Sequence, residues 1–150
     1  MEEHKKAREM LKSGHKHTLK INGGPAFEQK VKQIIELLKT AGYFDFFSSY
    51  IREITEIDGL TQLRETEVAI WANKFAVENP VDAASLFVQK AFVMKEYLEG
   101  ELYYGGAAEK RSIEKRLEYL RTLKEKTKDE SVRTECERLL EMWRESSLAY

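Results

Sequence analysis

Residues 79–98, NPVDAASLFVQKAFVMKEYL, are the stretch on which the predicted architecture depends. Asn79 suits the N-cap of a helix, and Pro80 suits the first helical position because an N–H there would have no partner within the helix. Apolar residues recur at helical spacing on more than one side of this segment: Val81, Ala84, Phe87, Val88, Ala91, Phe92, Met94 and Leu98. The pattern predicts a helix at the centre of the fold, with neighbours on several sides.

Two amphipathic helices are predicted after the central one. Gly105 and Gly106 end the central helix, because glycine pairs favour turns. The next helix carries one apolar stripe, made of Ile113, Leu117, Leu120 and Leu123. The last helix begins either at a capping box of Thr127 and Glu130 or at a cap formed by Asp129. Its inward residues are Val132, Cys136, Leu139, Leu140 and Trp143.

Three more helices are predicted before the central one. The first carries the apolar residues Phe27, Val31, Ile34, Ile35 and Leu38 and ends at Gly42, where glycine suits a left-handed C-terminal position. The second covers residues 43–57, whose spacing favours a helix although its aromatic and β-branched residues leave a strand as the alternative. The third runs from Thr61 to Glu78 with Leu63, Val68, Trp71, Ala72 and Phe75 facing inward.

Six helices with short connections predict an all-α fold, either a six-helix bundle or a small stack of helix pairs of the HEAT/ARM type. A chain of 150 residues suits a single domain, which is predicted over residues 24–150. Residues 1–23 are predicted to form a mobile basic tail or a frayed helix, because residues 1–20 hold six Lys/Arg against three Asp/Glu.

Charge and cysteine content narrow the class of protein. Twenty-five basic and 26 acidic residues leave a net charge of −1, so no bulk field directs the chain to nucleic acid or anionic lipid. The acidic excess lies in residues 21–106, which hold eight Lys/Arg against thirteen Asp/Glu. A lone Cys136, no signal-like segment and no membrane-length apolar run predict an intracellular protein without a membrane partner.

The sequence contains no recognisable catalytic or cofactor motif. Glycine-rich nucleotide loops are missing, and the three histidines, His4, His15 and His17, lie outside the predicted bundle. Cys136 occupies an inward position and has no histidine base beside it. We therefore expect a non-catalytic protein with no cofactor, metal or small-molecule substrate, or else an enzyme subunit that has no site of its own.

An aromatic surplus points to a protein partner. The run Tyr43-Phe44-Asp45-Phe46-Phe47-Ser48-Ser49-Tyr50 has more rings than one helix face can bury, so either the surplus fills the core or it lines a groove for an apolar peptide. Adding the nearby rings and the C-terminal tryptophan gives the predicted partner-binding set: Phe44, Phe47, Tyr50, Trp71, Phe75 and Trp143. The acidic middle of the chain favours a peptide with apolar anchors and positive flanks.

A basic cluster supports the alternative function, a small helical subunit of a nucleoprotein assembly. Four side chains on the fifth predicted helix are candidates for contacts with an RNA or DNA backbone: Lys110, Arg111, Lys115 and Arg116. Interleaved glutamates, Glu109, Glu114 and Glu118, dilute this charge.

Residues 120–145, LRTLKEKTKDESVRTECERLLEMWRE, resemble the last two helices of the TFIIS N-terminal (LW-type) domain superfamily. Leu139, Leu140, Trp143 and Arg144 carry the likeness. Upstream, the layout is similar to the Iws/Spn elongation-factor branch at Asp58-Gly59, Arg64-Glu65 and Pro80-Val81-Asp82. The resemblance implies a non-catalytic nuclear scaffold in transcription elongation that binds a partly disordered segment of an Spt-type factor. Without the resemblance, the expected compartment is the cytoplasm.

Overall fold

A computed structural model describes residues 19–148, within which the chain forms four strands and five α-helices. The strands are β1 (Lys20–Asn22), β2 (Glu53–Ile57), β3 (Gln62–Arg64) and β4 (Ala69–Asn73). The helices are α1 (Pro25–Thr40), α2 (Phe44–Tyr50), α3 (Pro80–Leu98), α4 (Gly106–Lys126) and α5 (Glu130–Leu148). The all-α prediction is therefore wrong. Of the predicted tail, Lys20–Asn22 form a strand, and residues 1–18 lie outside the described range.

The strands form one mixed sheet in the order β1-β2-β4-β3. β1, β2 and β4 are parallel, and β3 is antiparallel to β4 at the edge. One row of paired residues crosses the sheet: Ile21, Ile54, Ile70 and Leu63. Ile54 and Ile70 are fully buried and share the apolar core with side chains of α1 and α3, such as Ile34 and Phe87. The sheet is thus an integral part of the single core.

The helix predicted over residues 43–57 is wrong in its second half. α2 ends at Tyr50, and Ile51 adopts an extended conformation with φ −127° and ψ 127°. The following residues are rich in β-branched side chains, which pack well on a pleated surface. Ile54 and Ile57 have the spacing of a helical turn, but in β2 they lie on opposite faces of the sheet. For this segment, the spacing of the apolar residues therefore favoured a helix where the chain forms a strand.

The helix predicted from Thr61 to Glu78 is also wrong. This segment forms β3, a short 3-10 turn at Glu65–Glu67, and β4. Val68 ends the turn in the left-handed region, with φ 53°, which a β-branched residue rarely adopts. Because Val68 is fully buried, the core holds it in this conformation, and an α-helix cannot continue through it.

The other four predicted helices are confirmed, although α3 ends at Leu98 and not at the predicted Gly105-Gly106 pair. Asn79 caps α3 through its side-chain oxygen, which accepts a hydrogen bond from the Asp82 N–H at 3.2 Å. Asp129 likewise accepts from the N–H groups of Ser131 and Val132 at the start of α5. α3 packs against α1, α2, α4 and α5, which confirms its central position. None of the helices described between residues 19 and 148 is both long and apolar enough to cross a membrane.

The junction between β1 and α1 offers a test of the fold. A Cβ on Gly23 would lie 2.6 Å from Cδ1 of Phe27 and 3.0 Å from Cβ of Glu56. Phe27 is buried and cannot move aside, so we expect Gly23→Ala to lower the free energy of unfolding by about 1–3 kcal/mol. The measurement is urea unfolding followed by circular dichroism.

Gly24→Ala is the matched control for this change. A Cβ at Gly24 would come no nearer than 3.7 Å, to Oε1 of Glu56, and the hydrogen bond from the Gly24 N–H to that oxygen would remain. We expect a change below about 1 kcal/mol. Equal losses in the two variants would contradict the close packing of β1 on α1.

Candidate functional site

Two loops at one end of the sheet carry the most exposed large apolar side chains in the described part of the chain. Leu60, in the loop between β2 and β3, is 88% exposed, and Phe75, in the loop between β4 and α3, is 66% exposed. Both loops follow the carboxyl ends of parallel strands, so they lie at the same edge of the sheet. In open α/β sheets this edge is the usual place for ligands.

Asn73, the last residue of β4, holds the two loops together. Its Nδ2 donates hydrogen bonds to the carbonyl oxygens of Asp58 at 3.0 Å and Gly59 at 2.9 Å. Its Oδ1 accepts from the Phe75 N–H at 2.9 Å, and its own N–H donates to Oγ1 of Thr61 at 3.0 Å. One residue thus orders both loops. We call residues 58–61 and 73–78 the clamped loops.

The clamped loops lie in an acidic segment of the chain. From residue 53 to residue 78 the chain carries six acidic and two basic side chains, a net charge of −4. Both basic side chains are engaged: Arg64 bonds Glu67 at 2.9 Å, and the Lys74 ammonium lies 5.2 Å from the centre of the Phe75 ring. Of these charges, Asp58, Lys74 and Glu78 belong to the clamped loops, whereas Glu53, Glu65 and Glu67 lie at the opposite end of the sheet. The loops themselves thus have a net charge of −1, which favours a basic partner.

Of the predicted aromatic set, Phe47 belongs to the core. Its side chain is fully buried and stacks on Phe87, with ring centres 5.8 Å apart and planes inclined by 12°. Because its ring is buried in the core, the prediction that Phe47 lines a binding groove is wrong. Phe44 and Tyr50 lie half-buried on α2, one beneath the Lys39 ammonium and the other edge-on to Phe46.

The other three predicted rings lie on different elements. Trp71 is half-buried on the sheet face opposite Ile70, with the Arg64 guanidinium 4.2 Å from its ring centre. Phe75 stands in the clamped loops, and Trp143 lies on α5. The six residues therefore do not line one common groove. The structure keeps Phe75 as an exposed anchor and adds Leu60 and Asn73, which sequence reasoning missed.

Arg116, one of the four predicted phosphate contacts, is buried in a polar network. Its Nε donates to Oγ of Ser85 at 2.8 Å, and its two terminal nitrogens donate to Oε1 of Gln89 at 3.1 Å and Oδ1 of Asp82 at 2.7 Å. The guanidinium also lies 5.0 Å from the centre of the Trp143 ring. Arg116 therefore joins α3, α4 and α5, and its prediction as a phosphate contact is corrected.

The other three cations of that cluster do not form one exposed basic surface. Arg111 bonds the buried carboxylate of Glu96 and the carbonyl of Leu102. Lys115 pairs with Glu118 at 3.0 Å and lies against two aromatic rings of the α2 region. Lys110 is exposed. An isolated exposed lysine offers much less to a phosphate backbone than four adjacent cations would.

Cys136 is buried, as its inward position predicts. Burial raises the pKa of its thiol to about 11, so the reactive thiolate is scarce at neutral pH. Among residues 19–148 no three His, Cys, Asp or Glu side chains are grouped as a metal ion would require. His4, His15 and His17 lie outside that range.

The clamped loops thus combine exposed apolar side chains, a backbone held by hydrogen bonds and a slight acidic excess. Part of this site had a sequence signal, because Asp58-Gly59 marks a tight turn and Phe75 belongs to the predicted partner-binding set. The role of Asn73 had no such signal, since its partners lie up to 15 residues away. No protein-family model, curated protein or solved structure matches this chain.

Proposed function

We propose that this chain is a non-catalytic protein-interaction module that binds a short segment of another protein at the clamped loops. A single observation carries the proposal: Leu60 and Phe75 are exposed to solvent, yet the side chain of Asn73 orders the loops that present them. Exposed apolar side chains in ordered loops mark interaction surfaces more than scattered single ones do.

The order of the loops bears directly on affinity. A flexible loop must lose conformational freedom on binding, which weakens the complex, whereas a loop that is already ordered avoids most of that cost. Aromatic anchors such as Phe75 bury a large area with few rotatable bonds. The net charge of −1 on the clamped loops, from Asp58, Glu78 and Lys74, favours a partner whose apolar anchors are flanked by lysine or arginine.

The resemblance to the TFIIS N-terminal superfamily extends this proposal to a class of partner. Residues 120–145 form the end of α4 and most of α5, in keeping with a likeness to two helices, whereas Asp58-Gly59 and Arg64-Glu65 lie in the sheet region and add no support. On the two-helix likeness alone, the chain would act as a scaffold in transcription elongation in the nucleus. Its partner would be a partly disordered segment of an Spt-type factor with the apolar and basic composition described above.

Selection of peptides on the full chain tests the proposed site. The probe is a displayed library of random twelve-residue peptides. We expect enriched peptides to carry one or two large apolar residues flanked by lysine or arginine. The double variant Leu60→Ser, Phe75→Ser should weaken their binding about 30-fold or more, as loss of two anchor side chains predicts. Titration calorimetry measures the affinity.

Leu102→Ser is the matched control for this experiment. Leu102 is 62% exposed but lies in the connection between α3 and α4, so its replacement should leave the affinity unchanged. Because all three replaced side chains are largely exposed, none of the variants should unfold the chain. Enrichment of acidic or purely apolar peptides, or equal binding by the double variant and the parent, would reject the clamped loops as the site.

A further inference from the structure

A second apolar surface lies on the hairpin of α4 and α5, away from the clamped loops. The two helices run antiparallel, since Arg116 lies against Trp143 while Lys124 pairs with Glu137 at 3.9 Å. Two open clefts of about 980 and 720 Å³ flank the half-buried side chains of Leu117 and Trp143, which line both. Together the clefts make one groove along the hairpin.

The walls of this groove carry charges of opposite sign. In the 720 Å³ cleft, Arg121 and Lys124 lie on the α4 side, and Glu137, Glu141 and Arg144 lie on the α5 side. Because Arg144 pairs with Glu141, the α4 side has a net charge of +2 and the α5 side a net charge of −1. The groups are accessible: Arg121, Glu137 and Glu141 are exposed and Lys124 is partly exposed. A basic wall therefore faces a weakly acidic wall across an apolar floor, and within one chain Lys124 already pairs with Glu137 across it.

We propose that the occupant of this groove is a second copy of the same chain. A two-fold axis along the groove places α4 of each copy over α5 of the other and keeps residues at the same level. Arg121 and Lys124 then face Glu137 and Glu141 of the second copy, and the reciprocal contact forms at the same time. The result is a four-helix arrangement in which neighbouring helices are antiparallel.

Charge complementarity is the reason for choosing a second copy as the occupant. A two-fold interface uses the same surface patch on both partners, so the patch must be complementary to itself. A wall of one sign only would repel its own copy, whereas one basic and one acidic wall satisfy the requirement. The apolar floor at Leu117 and Trp143 supplies the area that the two copies would bury.

Sedimentation velocity on the full chain and on two charge variants tests this proposal. We expect the parent to form dimers reversibly in the range of about 1 to 200 µM, as an interface of modest size predicts. Arg121→Glu, Lys124→Glu makes both walls acidic, and Glu137→Lys, Glu141→Lys makes both walls basic. Each variant alone should dimerise about tenfold or more weakly, and an equimolar mixture should recover the parent's affinity as a heterodimer.

Glu125→Lys provides the control, because Glu125 is exposed on α4 but does not line the groove. Its dimer affinity should equal that of the parent. A monomeric parent at every concentration overturns the proposal, and so does a dimer that neither charge variant weakens. A mixture that stays monomeric overturns the pairing between the walls. Circular dichroism of each variant confirms that the replaced, accessible side chains have not changed the fold.

Discussion

Replacement of Phe47 with alanine is expected to lower the free energy of unfolding by about 3–5 kcal/mol. Phe47 is fully buried and stacks on Phe87 of the central helix α3. Truncation removes the transfer free energy of the ring and leaves a cavity between α2 and α3 that the packed neighbours can fill only in part. Because small domains are stable by about 5–15 kcal/mol in total, this loss would be a large share of the stability.

Urea unfolding of Phe47→Ala is compared with that of Phe44→Ala. Both residues lie on α2, but Phe44 is only half-buried, beneath the Lys39 ammonium. We expect Phe44→Ala to lower the free energy of unfolding by about 1 kcal/mol. Small and similar losses in the two variants would show that Phe47 is not a core residue and would return it to the predicted binding groove.

Replacement of Arg116 with alanine is expected to lower the free energy of unfolding by about 2–3 kcal/mol. The guanidinium holds Ser85, Gln89 and Asp82 of α3 to α4. Without it, the buried hydroxyl of Ser85 and the Gln89 side chain lose a donor. The loss should stay below that of a fully buried ion pair, since the Asp82 side chain is 40% exposed and water can reach its carboxylate.

The Arg116→Ala measurement is made at about 0.1 and 1 M NaCl, because salt screens exposed charge pairs much more than buried ones. We expect the same loss at both concentrations. Lys110→Ala is the control: it replaces an exposed cation on the same helix and should change the stability by less than about 0.5 kcal/mol. A loss that disappears at high salt would mean that Arg116 acts as a surface charge, in keeping with a phosphate-contacting role.

The predictable part of the fold is the part in which neighbours in sequence decide the conformation. Asn79 and Pro80 begin α3, Gly42 follows the end of α1 with φ 76°, and Asp129 caps α5. Each of these residues acts within one turn of its own helix. Long helices with a continuous apolar stripe were therefore correctly predicted from spacing alone.

The sheet could not be predicted in the same way. The hydrogen bonds of β2 go to β1, which lies 33 residues earlier at Ile21 and Ile54, and to β4, which lies 16 residues later at Ile70. No property of residues 53–57 reveals these partners. In a strand buried among others, apolar residues also lose their simple alternation, and the remaining spacing of Ile54 and Ile57 imitates a helix.

The candidate site likewise combines features that the sequence predicts locally with features that depend on contacts between distant segments. Phe75 was selected from its type, but its predicted inward position is wrong, because the side chain is 66% exposed. The Asp58-Gly59 turn was recognisable from sequence. That Leu60 and Phe75 belong to one site depends on Asn73, whose side chain bonds Asp58, Gly59 and Phe75 in two loops that are distant in sequence. Residue type also could not separate Phe47, which is buried, from Phe75, which is exposed.

Residue patterns along the chain were enough to predict four of the helices, the start of α3 and its central place, the inward position of Cys136 and the acidic middle of the chain. Contacts made in the folded chain decide that residues 43–78 form strands as well as a short helix, that Arg116 is buried, and which apolar side chains remain exposed. The two kinds of feature differ in the range of the interactions that produce them. Caps and helical periodicity act over three or four residues, whereas strand pairing and burial depend on contacts between segments that are distant in sequence.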